Sequence, residues 1–323
     1  MSGGWNTIES DAGVFTSLIE NLGVKNVQFE ELLTLDPSEL LALQPLYGVI
    51  FLFKYPTDGP YASASGPQDG VFDHDAAERI FFAAQTIQNA CATQALLSVL
   101  LNKDGEDGVD IGPQMKDFRD FTMVLPPEFR GEALSNSDLI REVHNGFARS
   151  SPFADETARH GEPSEDVFHF IAYTPIDGTL YELDGLQPAP ISHGPCTPDE
   201  FPIKVVDVLQ RRIARYDEAE IRFNLLAMCR DLRIRAREFG DEELLERENR
   251  KRSDWAFENA LRRHNFVGFA GEVLKKVVEK KLEQGGDEAV DKWVGESLER
   301  RRAAEKALGG RGGGGGGDVD MSG

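Results

Sequence analysis

Apolar residues fall into a few periodic blocks along the chain, separated by turn-forming stretches. In "WNTIESDAGVFTSLIENLGV", Val14, Phe15, Leu18 and Ile19 recur at helical spacing; Ser10 or Asp11 can cap the start and Gly23 can end it. A second short helix is predicted around "DPSELLAL". "YGVIFLFKY" is apolar and β-rich over strand length, which predicts a buried strand. The turn-forming "PTDGPYASASGPQDG" follows, and then "QTIQNACATQALLSVLLN", an apolar helix that opens with Cys91 among small and amide side chains.

"HNGFARSSPFADETARHGEPSED" has no apolar periodicity and predicts a surface loop of about twenty residues, a length typical of lids and binding loops. "VFHFIAYTPIDGTLYELDGL" then gives two apolar, aromatic strands around "PIDG", the signature of a β-hairpin. A two-residue turn at Ile176-Asp177 sets His169 directly opposite Asp184. A turn at Asp177-Gly178 makes them diagonal neighbours, still on one face because side-chain parity is unchanged. Either register joins a histidine to the carboxylate that can orient it.

"EIRFNLLAM" predicts a further strand, and Cys229 closes the β-containing unit. From Asp231 to Lys281 the chain becomes charged helix, broken at "HNFVGF". Within it "FVGFAGEVLKKVVEKK" puts Phe266, Phe269, Val273, Val277 and Val278 on one face, with lysines over much of the rest. "ALGGRGGGGGGDVDMSG" is too poor in apolar surface to fold. The organisation expected is a β-containing domain over 5–229, a helical extension over 230–302 and a glycine-rich tail over 303–323.

Composition sharpens this outline. With 323 residues, 40% of them apolar, the chain can bury one large core and a smaller unit. No run of eighteen apolar residues occurs, and "MSGGWNTIES" lacks the pattern of a secretory signal, so the expected location is cytoplasm and nucleus, with no membrane partner. Cys91, Cys196 and Cys229 are odd in number and widely spaced, which argues against a disulfide framework or a CxxC-type zinc site. Residues 1–229 hold 15 Lys+Arg against 36 Asp+Glu, whereas from residue 230 on 20 face 20. So acidic a first domain repels nucleic acid and favours basic protein surfaces.

Backbone N–H groups and the dipole at a helix N-terminus favour a thiolate, so Cys91 in the first turn, with Asn89 as the expected cap, is a candidate nucleophile. Gln85, six residues earlier and outside the helix, can donate to an oxyanion formed at that sulfur. Followed by His169 and Asp184, these residues make an ordered set for acyl transfer. Arylamine acetyltransferases and transglutaminases share that order, and a catalytically silent binding adaptor is a further alternative. His74, His144, His160, His193 and His264 lack ligand spacing and are expected in surface or structural roles; Cys196 and Cys229 are expected to be ordinary thiols.

The stretches "WNTIESDAGVF", "QTIQNACATQALLSVLLN", "PPEFRGEALSNSDLIREVHNGFAR", "FHFIAYTPIDGTLYELDGL" and "EIRFNLLAM" resemble, in motif and in order, the ubiquitin C-terminal hydrolase family of cysteine deubiquitinases, over about residues 5–229. "RRHNFVGFAGEVLKKVVEK" resembles the helical C-terminal extension of the branch that associates with the proteasome and, in some organisms, with a chromatin-remodelling complex. The resemblance implies a papain-like α/β (α+β) fold, a central antiparallel sheet flanked by helices plus a C-terminal helical domain. It implies Cys91 as nucleophile, His169 as general base, Asp184 as its orienter and Gln85 as oxyanion donor, with no cofactor or metal. The implied partners are ubiquitin and its conjugates, and through residues 230–302 a proteasomal ubiquitin receptor or a remodelling-complex subunit. Residues 146–166 match the crossover loop beneath which ubiquitin's tail threads.

Overall fold

The computed structural model of the chain describes residues 4–55, 66–148, 168–216 and 222–309. Most of the predicted loop 146–166, together with His160 and the end of the glycine-rich tail, lies outside them. Two compact units result, one reaching to His264 and one beginning at Asn265.

The first unit opens with α1 (Ala12–Asn21), whose start is fixed by Asp11 accepting from the Val14 N–H at 2.9 Å. Then come β1 (Val27–Glu31), α2 (Pro37–Ala42), β2 (Leu46–Lys54), β3 (Val71–Phe72), α3 (His74–Arg79) and α4 (Cys91–Leu100). Helices α5 (Gly112–Thr122), α6 (Pro127–Ser135) and α7 (Asp138–Asn145) precede β4 (Phe168–Ile176), β5 (Thr179–Leu183) and β6 (Ile191–Pro195). Helix α8 (Phe201–Ile213), β7 (Asn224–Arg230), α9 (Leu232–Phe239) and α10 (Glu242–Arg263) complete the unit.

Seven strands form one antiparallel sheet in the order β1-β7-β2-β4-β5-β6-β3. Its central strands read as unbroken apolar runs because both faces are covered. Phe170 and Ala172 of β4 join the core formed with α1 and α4, including Phe15, Leu18, Leu96 and Leu97. Ile171 and Tyr173 join the opposite core with Phe51, Phe53 and the α8 residues Phe201, Val205 and Leu209.

The β4–β5 hairpin turns at Asp177 and Gly178, with φ of 48° and 75°, the positive values a tight two-residue turn needs. Ile176 therefore pairs with Thr179 and Ala172 with Leu183. Of the two registers the pattern allows, the diagonal one is realised.

One expected boundary moves. Helices α9 and α10 belong to the first unit, not to a separate extension starting at residue 230. The cause is burial on α1: a Cβ at Gly13 would come within 2.5 Å of the Trp255 ring, and Asn259 donates to the Gly13 carbonyl and the Ser17 hydroxyl. Arg252 pairs with Glu20 at 2.7 Å, and Arg262 with Asp11 at 3.0 Å and Glu9 at 3.2 Å. The second unit holds α11 (Val267–Gly309), whose helical geometry is interrupted at Gly285 and Gly286.

Candidate active site

Helix α4 grows directly out of a 3-10 turn, Gln88–Ala90, and every residue from Cys91 to Leu100 is buried. The expected Asn89 cap does not form. Ala90, in helical conformation, occupies the cap position with no side-chain bond, and the Asn89 amide donates instead to the Trp5 carbonyl at 2.9 Å. A helix entered from a 3-10 turn lacks the extended residue that a side-chain cap requires. The first-turn N–H groups thus receive no side-chain cap, and Cys91, 8% exposed, begins the helix there.

His169 is the second residue of β4 and lies on the α8 side of the sheet, opposite to α4. It can meet Cys91 because the strand has only just begun, so the sheet does not stand between them. Cys91 is near enough to the imidazole for its sulfur to favour the protonated ring, and the imidazole Nε2 lies 2.7 Å from Asp184 Oδ1. Asp184 follows the last paired residue of β5, is fully buried, and accepts also from the Leu186 N–H at 3.0 Å.

Burial opposes protonation of His169, but the Asp184 charge and hydrogen bond, with help from Cys91, win and lift its pKa to about 9. Burial likewise opposes ionisation of Asp184; the His169 partnership and the Leu186 N–H overcome it and hold the carboxyl below its usual range. The pair is therefore an imidazolium and a carboxylate at neutral pH. Phe53 and Tyr55 set their rings edge-on to the imidazole at 5.7 and 5.9 Å, which limits its rotation.

Gln85, Thr86 and Ile87 join His169, Tyr55, Phe168 and Leu186 around a cleft of about 300 Å³. The structure thus brings Gln85 and the Cys91–His169–Asp184 set together. The Gln85 segment is clamped on several sides. The Gln85 N–H donates to the Gly185 carbonyl at 2.7 Å, the Ala84 N–H to Pro127 at 2.9 Å, and the Gln94 amide to the Ala83 carbonyl at 2.6 Å. A methyl group on Gly131 would run into the Ala84 carbonyl oxygen, and one on Gly185 into the Gln94 amide.

Several supporting residues were not legible in advance. Arg130 is 1% exposed and donates to the carbonyls of Ala77, Ile80, Phe82 and Leu125, and so gathers the chain that leads to Gln85. Its signal is the "PPEFRG" stretch, which shows a motif but not its contacts. Glu182 and Arg212, paired in the α8-side core, had no signal at all. His144 is structural, between Thr93 at 2.7 Å and the Asn6 carbonyl at 2.6 Å, and Cys196 and Cys229 are buried and free.

A thiol at a helix N-terminus, beside a carboxylate-held imidazole at the end of an antiparallel sheet, is the arrangement of a papain-like cysteine enzyme, hydrolase or acyl transferase. Comparison with known proteins narrows the class. The family model described as ubiquitin carboxyl-terminal hydrolase, family 1 matches residues 5–214, and a second, ubiquitin carboxyl-terminal hydrolases, matches 242–282. Ubiquitin carboxyl-terminal hydrolase 2 of Schizosaccharomyces pombe is 51% identical over 286 residues, 87% of this chain and 93% of the relative. Isozyme L5 of Dictyostelium discoideum is 46% identical over 71% of this chain and 62% of the relative. The Trichinella spiralis UCH37 catalytic domain, solved bound to ubiquitin vinyl methyl ester, aligns with a TM-score of 0.58 at 38% identity, over 70% of this chain and 96% of that one. The chain belongs to the ubiquitin carboxyl-terminal hydrolase family and is a cysteine-type deubiquitinase. An acetyltransferase or transglutaminase assignment falls away.

Proposed function

We propose that Cys91, His169, Asp184 and Gln85 carry out the hydrolysis, at the carbonyl of ubiquitin's C-terminal glycine. The Cys91 thiolate attacks that carbonyl carbon, and Gln85 with a backbone N–H stabilises the tetrahedral oxyanion. As the C–N bond breaks, His169 gives its proton to the leaving amine, and a thioester remains on Cys91. His169 then takes a proton from water; the hydroxide attacks the thioester, and the free carboxylate leaves as the thiol reforms. The observation that supports this most is the 2.7 Å bond from His169 to the buried Asp184 carboxylate, with the Cys91 thiol on the same imidazole. Cys91→Ser is expected to lower hydrolysis of a ubiquitin C-terminal amide at least about a thousandfold while leaving ubiquitin binding intact. Turnover within tenfold of wild type would exclude Cys91 as the nucleophile.

We infer further, from the resemblance of residues 146–166 to the family's crossover loop alone, that small and disordered adducts are released faster than folded ones. The second unit is read as a recruitment element for a proteasomal ubiquitin receptor or a remodelling-complex subunit, acting in cytoplasm and nucleus. Of the predicted face, Phe269 and Val273 on α11 and Phe266 just before it are exposed, whereas Val277 and Val278 are half-buried; Leu274 adds a further exposed apolar side chain.

A further inference from the structure

Two residues before Asp184, on the same face of β5, stands a second buried carboxylate, Glu182, only 4% exposed. Positions i and i+2 of a strand lie about 7 Å apart, and in a dry interior each anion opposes ionisation of the other. Asp184 is the more vulnerable. Its Oδ1 has two partners, but among the described residues its buried Oδ2 has none, so its charge depends on the surrounding field.

A fixed cation supplies that field. Arg212 reaches across from α8 and donates to Glu182 Oε1 at 2.6 Å and to the Tyr173 hydroxyl at 3.4 Å. Its guanidinium lies 4.7 Å over the Phe53 ring, and the same ring meets the His169 imidazole in a T-shaped contact at 5.7 Å. The remaining groups around the carboxylates differ in kind. His193 of β6 lies 3.2 Å from Glu182 and 4.0 Å from Asp69, which is itself paired with Arg211 at 3.0 Å and Arg215 at 3.6 Å. Cys91 and Tyr55 face the catalytic pair from α4 and from the end of β2. Arg212 alone combines permanent charge, direct contact with Glu182 and a shared ring with His169.

We propose that Arg212 is a positioning residue of the catalytic pair: the buried counter-charge that lets Glu182 and Asp184 ionise together on one face of β5, and the backing that holds Phe53 against His169. This rests on the assignment of His169 and Asp184 to catalysis. The sign follows directly. Without the guanidinium, Asp184 feels Glu182 uncompensated, holds its proton to higher pH, and loses its grip on His169 on the acid side.

The test is the pH profile of kcat/KM on a ubiquitin C-terminal amide. Arg212→Met is expected to move the acid limb upward by about one pH unit, a roughly tenfold relative loss at acid pH. Arg212→Lys, which keeps the charge, should leave the limb close to wild type. Adding Glu182→Gln to Arg212→Met should bring it back, and Glu182→Gln alone should move it the other way. A structural role alone would depress kcat at every pH and would not respond to removing a neighbouring anion. Should Arg212→Met fail to fold in a melting assay, the Glu182→Gln profile decides alone, and an unmoved acid limb overturns the proposal. Asp184→Asn runs alongside: if it leaves kcat unchanged, the catalytic assignment has failed, not the role of Arg212.

Discussion

In the proposed mechanism Asp184 decides more than any other side chain whether the thiol at Cys91 is usable, because its charge and hydrogen bond hold the His169 proton. With His169 lifted to about 9, the imidazolium is present throughout the neutral range and is lost as pH rises through that value. We expect kcat/KM to decline above about pH 9 and the decline to begin at clearly lower pH in Asp184→Asn. That variant should also lose kcat on the order of 10³-fold with little change in ubiquitin binding. A basic limb that does not move would show that another group sets it. The same pair contributes to stability. The His169 part is complete below its unfolded value of about 6.5 and fades toward 9; the Asp184 part is lost only as pH falls below the ordinary carboxylate range. Residue type and the family resemblance nominated Cys91 and Gln85 as candidates, and the meeting of His169 with Asp184 was legible because strand parity survives uncertainty in the turn. Arg130 and Arg212 were not, since nothing local says which carbonyls or carboxylates a long side chain will find across the fold. The Asn89 cap failed for a local reason, the 3-10 turn that feeds α4.

Elements carry these side chains to one point through close backbone approaches. The segment 83–85 runs between α6 and the residues after β5, and it fits because Gly131 and Gly185 present no side chains there. Gly131→Ala is the sharper test, since its methyl group would meet backbone at Ala84, which cannot swing away. The segment would have to shift by an ångström or so, and misplacement on that scale at an oxyanion donor costs about 10²-fold. We expect kcat to fall by that order. A circular dichroism spectrum like wild type, together with unchanged ubiquitin binding, would locate the defect in the segment and not in the fold. Retained kcat in a folded variant would show that Gln85 does not depend on this clamp. Hydrophobic periodicity foretold α1, β2, α4, the hairpin and β7, all of which bury an apolar face or run. It was silent on β6, "ISHGP", where burial is partial and the strand lies between β5 and the two-residue β3 near the edge of the sheet.

At the scale of the whole molecule, charge composition misled where it should have been most informative. The change from acidic to balanced sequence near residue 230 looks like a domain boundary, yet several of the basic residues after it are partners of acidic ones before it. Arg252 and Arg262 of α10 pair with Glu20, Asp11 and Glu9 on and beside α1, and Lys251 with Glu30 on β1. Asp11 both caps α1 with one oxygen and binds Arg262 with the other. The compact unit therefore ends at His264, and the second family match, 242–282, straddles that end. Two truncations distinguish this from a catalytic domain that closes at residue 229. Removal of everything after Cys229 uncovers Gly13 where Trp255 packed and strands four acidic side chains in an already acidic unit. A half-buried tryptophan and those pairs together are worth about 2–4 kcal/mol, so Tm should fall on the order of 5–15 °C, with ubiquitin amide hydrolysis lost as the protein melts. Removal of everything after His264 keeps α10 in place, and Tm and hydrolysis should both stay near those of the full chain. What this second truncation should lose is recruitment to a proteasomal or remodelling assembly, measured by co-purification. Equal melting of the two truncations would restore the boundary at 229, whereas recruitment of the chain that ends at His264 would move the docking face out of α11.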